Sequence, residues 1–104
     1  MFARTVSIHL KSNMLSDYTR TFEKNVLPLL RQQKGFRDEI TLSNPGSVDV
    51  IAISLWDTRA NAEAYNTNTY PEVLRTLGRM IDGTPKVQTF ETVTSTFHKV
   101  AVAA

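Results

Sequence analysis

The chain has 104 residues, 41% hydrophobic and 21% charged, with 12 Lys and Arg against 10 Asp and Glu for a net charge of +2. That composition suits one globular domain with enough chain for a core, not a disordered or membrane-spanning segment. Cysteine is absent, which excludes disulfides, thiolate nucleophiles and zinc–thiolate sites. The scattered Lys and Arg make no basic run of the kind that binds nucleic acid.

Met1 to Leu10 carries Arg4, Ser7 and His9 within its apolar pattern, so it lacks the charged start and unbroken apolar stretch of a secretory leader. No run approaches the roughly 20 apolar residues that span a bilayer. The expectation is a cytoplasmic protein with no membrane and no nucleic-acid partner.

Phe2 to Leu10 alternates as a strand, with Phe2, Val6, Ile8 and Leu10 on one face and Ala3, Thr5, Ser7 and His9 on the other. Leu15, Tyr18, Phe22, Val26, Leu29 and Leu30 then recur at helical spacing. Pro28 lies inside that pattern, where its missing N–H predicts a kink. Lys34-Gly35 reads as the end of the helix. Phe36, Ile40 and Leu42 alternate with Arg37, Glu39 and Thr41 as a second strand, and Asn44-Pro45-Gly46 makes a turn. Val48 to Trp56 is the third strand. Its Val50-Ile51-Ala52-Ile53 run is apolar on both faces, which predicts a central position.

Asp57 or Thr58 caps a second helix from Arg59 to about Thr67. Asn66-Thr67-Asn68-Thr69 interrupts it, because Asn and Thr favour caps over helix interiors. Pro71 near a new first turn helps restart it. Val73, Leu74, Leu77, Met80 and Ile81 form its apolar stripe, and Asp82-Gly83-Thr84-Pro85 ends it. Lys86 to Val100 reads as a last strand longer than the others, with a bulge where its apolar spacing departs from two. Residues 1–100 are expected to make a single domain, and 101–104 a tail without structural signal.

Strand, helix, strand, strand, helix, strand is the order of an α+β ferredoxin-like sandwich: a four-stranded antiparallel sheet with both helices on one face. The other face would present Ile51, Ile53 and Leu55 to water. Such a patch predicts a homodimer, sheet face against sheet face, with the long last strand reaching across.

The chain resembles the antibiotic biosynthesis monooxygenase domain family of the dimeric α/β-barrel superfamily. The residues that carry the resemblance are Val26-Leu27-Pro28 with Gly35-Phe36, Ser54-Leu55-Trp56 at the end of the third strand, and Ala64-Tyr65 and Tyr70 beyond it. It implies a small oxygenase acting on an electron-rich aromatic or quinol-type compound with no cofactor, neither flavin nor metal. A non-catalytic dimeric small-molecule-binding or stress-associated protein of the same fold is the alternative. Relatives that degrade haem ligate iron through a histidine on the second helical region. Pro71 to Ile81 has none, which speaks against haem.

The candidate ligand-binding residues are Trp56, Tyr65, Tyr70, His9 and Arg4. Trp56 has the parity of Ala52 and Ser54, so it turns toward the helices, either as a pocket wall or as a buried anchor. Tyr65 and Tyr70 flank the helix break and serve either a ligand or packing. His9 and His98, the two histidines, titrate near neutrality, but a lone strand histidine is more often structural. Arg4 stands on an otherwise apolar face, where pairing with Asp or Glu, surface exposure or an anionic ligand would each account for it. No histidine–carboxylate spacing suggests a metal, and no Gly-rich loop or nucleophile elbow is present.

Overall fold

The computed structural model describes residues 1–100; the expected C-terminal tail lies outside the described residues. Strand β1 (Phe2–His9) carries the alternation that the sequence predicts: Phe2, Arg4, Val6 and Ile8 are buried, and the residues between them are not. Strands β2 (Phe36–Ser43), β3 (Asp49–Trp56) and β4 (Lys86–Glu91) complete an antiparallel sheet in the order β2-β3-β1-β4. The central place of β3 follows from its sequence, since a strand flanked on both edges suits residues apolar on both faces. Val50 and Trp56 lie in the core with Phe2, Val6 and Ile8, under the helices.

The first helical region has three parts: α1 (Leu15–Thr21), a wide turn over Phe22–Val26, and α2 (Leu27–Arg31). Pro28 explains the wide turn. It cannot donate to the carbonyl four residues back, and the Leu27 N–H reaches five residues back to the Phe22 carbonyl instead. The expected kink therefore takes the form of a π-type turn. After α2, Gly35 adopts a φ of +78°, and a Cβ there would fall 2.2 Å from Asn61 Oδ1. Only glycine lets this loop pass the start of the next helix while its carbonyl accepts from the Asp57 N–H at 2.8 Å.

Helix α3 (Arg59–Asn68) is capped by Thr58, whose hydroxyl accepts from the Asn61 N–H at 3.1 Å. Thr69 leaves helical geometry at φ −122°, ψ −37°, and α4 (Tyr70–Leu77) restarts with Pro71 in its first turn. The break falls at the last residue of the Asn- and Thr-rich run, whose first three residues stay helical. In an unbroken helix Tyr65 and Tyr70 would point about 140° apart, from 3.6 residues per turn. The break at Thr69 lets both rings face the sheet, 6.1 Å apart.

Three expectations need correction. The last strand is not long: β4 ends at Glu91 and has six residues. Beyond the Thr92 N–H, which donates to the Met1 carbonyl at 2.9 Å, the backbone turns. Ser95 Oγ accepts from the N–H of Phe97 at 3.0 Å and of His98 at 3.3 Å. A local side-chain turn has displaced the ladder, as Ser- and Thr-rich segments allow. The bulge lies in β2, between Phe36 and Asp38. It sets Phe36 opposite Trp56 on the covered face, whereas Ile40 and Leu42 pair with Ile53 and Ile51 on the open one. Phe36 and Ile40 therefore do not share a face.

Candidate functional site

The bulge in β2 also decides what Glu39 faces. Glu39 pairs with Ser54, and Ser54 with Arg4, so three polar residues form a row across the covered face of the sheet. Above the row stand Tyr18 from α1, Tyr65 from α3 and Tyr70 from α4. Together with Val6, Phe22, Val73 and Leu77 they enclose a cavity of about 30 Å³, room for one or two water molecules. A wider groove of about 530 Å³ runs between the first helical region and β2, and Tyr18, Phe22 and Glu39 line both spaces. These three side chains therefore stand where the groove meets the cavity.

Trp56 has no exposed surface and does not line the cavity. Its indole N–H donates to Ser54 Oγ at 2.9 Å, and its ring packs 5.1 Å from Tyr65 and edge-on to Phe36 at 5.5 Å. It is the anchor behind the site: it holds Ser54 in the polar row and backs Tyr65.

Arg4 departs from two of its three expected settings. It is not exposed, with only 3% accessible, and it pairs with no carboxylate among the described residues. One terminal nitrogen donates to Asn66 Oδ1 at 2.8 Å. The guanidinium lies 4.0 Å from the centre of the Tyr70 ring and 5.1 Å from that of Tyr65. Aromatic faces and an amide oxygen, rather than an anion, hold this cation. Burial lowers its pKa, but a guanidinium remains charged at any physiological pH.

The remaining titratable groups respond to the same enclosure. Burial pushes the Glu39 carboxyl above its ordinary value, against the opposing hydrogen bond from Thr41 Oγ1 at 2.6 Å. Burial raises Tyr65 to about 12, with the Arg4 charge opposing. Tyr18 rises through burial and the Glu39 charge, and Tyr70 through burial against Arg4. All three phenols are therefore proton donors at neutral pH. Among the described residues, the buried side-chain polar atoms without a partner are Arg4 Nε, Tyr18 Oη and Tyr70 Oη. Each belongs to a residue that lines this cavity.

His9 lies elsewhere. It is exposed at the end of β1 and pairs with Asp49. His98 pairs with Asp38 near the other end of the sheet. Among the described residues no three His, Asp or Glu side chains gather as metal ligands, and no helix is long and apolar enough to cross a membrane. Glu39, Tyr18 and Asn66 join the site without having been singled out from the sequence. Glu39 had a signal, because its alternation against Ile40 and Leu42 turns it inward once those two face outward. Tyr18 read as core, and nothing local links Asn66 to Arg4, 62 positions away.

No protein-family model matches the sequence, and no curated protein matches it. Solved structures do match its fold. A monooxygenase of Streptomyces coelicolor, solved with the ligand nanaomycin D, superposes with a TM-score of 0.77 at 13% identity, over 90% of this chain and 88% of that one. A candidate antibiotic biosynthesis monooxygenase of Bordetella bronchiseptica gives 0.75 at 14% identity, over 89% and 97%. A cofactor-independent oxygenase of Streptomyces nogalater gives 0.73 at 12% identity, over 91% and 95%. The chain has the α+β ferredoxin-like fold of the antibiotic biosynthesis monooxygenases.

Proposed function

We propose that the chain is a small oxygenase that acts without flavin or metal on an electron-rich aromatic or quinol-type compound, bound between the sheet and the helices. The observation that carries this reading is the cavity whose lining holds every unpartnered buried polar side-chain atom among the described residues. Buried donors without acceptors cost stability, and a ligand rich in acceptor oxygens would offset that cost. The cofactor-independent oxygenase and the nanaomycin-bound monooxygenase of the same fold support the reaction class.

The residues divide the work as follows. Glu39, with its raised pKa, takes a proton from an acidic methylene or hydroxyl of the substrate. Tyr18, which stands with Glu39 where the groove meets the cavity, donates to the oxyanion that results, while Arg4 and Tyr70 bind the far end of the substrate. The carbanion form of an anthrone-type substrate passes an electron to O2, and the radical pair combines to a peroxide at carbon. Glu39 returns its proton to the peroxide anion, and loss of water with the hydrogen still on that carbon leaves a carbonyl, so one oxygen atom enters the product and the other leaves as water. The apolar walls keep bulk water from the anion.

The open face completes the proposal. Ile40, Leu42, Ile51 and Phe90 are each 42–51% accessible there, and a second copy of the chain would cover them in a homodimer.

Oxygen uptake with anthrone tests the reading, with anthraquinone formation as the second readout. The protein should accelerate both over buffer, and Glu39→Gln should slow the reaction about 100-fold, the lower range for a lost general base. No acceleration by the folded protein would remove the oxygenase. On either reading a ligand enters the free volume of about 30 Å³ by displacing side chains, and the non-catalytic alternative, a small-molecule-binding protein, differs in binding such a compound without oxygen uptake.

A further inference from the structure

The donors around the cavity are one-sided. Arg4 Nε, Tyr18 Oη and Tyr70 Oη make no hydrogen bond of good geometry, although the Tyr70 hydroxyl and the Arg4 guanidinium lie close enough to interact, and each has a proton to give. The charged acceptor on the lining is Glu39, which already accepts from Thr41. At the opposite end of the row a guanidinium is buried with no carboxylate among the ion pairs of the described residues. A cation enclosed in this way is costly unless a counter-charge joins it. The backbones of Glu39 and Arg4 are separated by β3, hence by two strand spacings of about 4.8 Å, roughly 10 Å in all. One substituted aromatic ring bridges side chains projecting from two such points.

We infer that the ligand of this cavity is an anionic hydroxyaromatic compound, its carboxylate or equivalent fixed oxyanion seated against Arg4 and its hydroxyl directed to Glu39. The inference rests on the reading that the cavity takes an aromatic ligand, and adds to it the charge and the orientation. The ring would lie beside Tyr65 and Tyr70, whose faces already hold the guanidinium. The anion would supply the acceptor that Arg4 Nε lacks, and Tyr70 Oη would donate to the same group. At the other end the Glu39 carboxylate accepts the hydroxyl proton that the proposed chemistry removes.

Equilibrium binding of 2,5-dihydroxybenzoate and of its uncharged analogue 2,5-dihydroxybenzamide tests the inference. The two differ in charge and hardly in shape. The acid should bind at least about tenfold more tightly at neutral pH, as a charge-assisted hydrogen bond in a dry site provides. Arg4→Met should bring the two affinities within about twofold of each other. Arg4→Lys should keep part of the preference for the acid, which maintains a variant test should the methionine protein fail to fold. Equal binding of acid and amide by the natural protein would overturn the inference and leave the aromatic-pocket reading standing. Binding of neither would overturn both. A preference that survives in Arg4→Met would place the anion elsewhere and overturn the inference. Preference for the acid without oxygen uptake from any hydroxyaromatic compound would uphold the inference and remove the oxygenase.

Discussion

Each face of the sheet carries one departure from the usual distribution of polarity. The covered face holds Arg4 at 3% and Ser54 at 7% accessibility in the middle of the core, whereas the open face shows water the side chains of Ile40, Leu42, Ile51 and Phe90. Buried polar groups and exposed apolar groups are the two departures from ordinary globular behaviour that carry information. Here each has a separate meaning. Unpartnered donors inside a cavity call for a ligand, and an apolar sheet face in solvent calls for a partner. The faces can also be altered independently, because alternate residues of one strand serve different faces.

The largest contrast is in stability. Trp56→Ala, on the covered face, removes a ring with no exposed surface and should cost about 3–5 kcal/mol in urea unfolding, the range for large aromatic deletions. Phe90→Ala removes a ring that is 51% accessible and should cost the isolated chain less than about 1 kcal/mol. Equal costs would mean that Phe90 is buried in the protein as measured, as it would be beneath a second copy of the chain.

The second contrast is in association. The chain should sediment at about twice its mass of 11.7 kDa. Ile40→Glu combined with Ile51→Glu should yield a folded monomer, since these side chains lie on two adjacent strands of the same face. A natural chain that sediments as a monomer would remove the homodimer.

The smallest effect concerns pH. The Glu39 carboxyl has a higher pKa folded than unfolded, because burial disfavours its charge. The folded state therefore binds the proton more tightly, and the charged group costs stability above both values. That cost fades as pH falls through the raised folded value and is gone below the ordinary unfolded one. Glu39→Gln should accordingly stabilise the protein at neutral pH, with a gain that disappears on acidification. A gain independent of pH would place its cause outside the carboxylate charge.

Much of the fold was legible in the chain. The doubly apolar Val50 to Ile53 run located the central strand, the parity of Trp56 turned it toward the helices, and Pro71 after the Asn- and Thr-rich run marked the helix break. These are local properties, set by backbone and side chain within a few residues. The end of β4 was not legible, because Thr-rich sequence suits both a strand and the Ser95 turn, and only the tertiary setting chooses. Arg4 was visible as an anomaly, but its solution was not. Asn66, Tyr65 and Tyr70 come from helices more than 60 positions away, and no pattern within β1 announces them. Glu39 was obscured by the bulge beside it, which shifts the register of the face on which Phe36 lies.

The central claim is that the covered face binds a ligand and the open face does not. Intermolecular nuclear Overhauser contacts between 2,5-dihydroxybenzoate and the protein test it most directly. The account predicts contacts from the ring protons to Tyr18, Tyr65, Tyr70 and Val73, and none to Ile51 or Phe90. Contacts confined to Ile40, Ile51 and Phe90, with the tyrosine resonances unmoved, would contradict it.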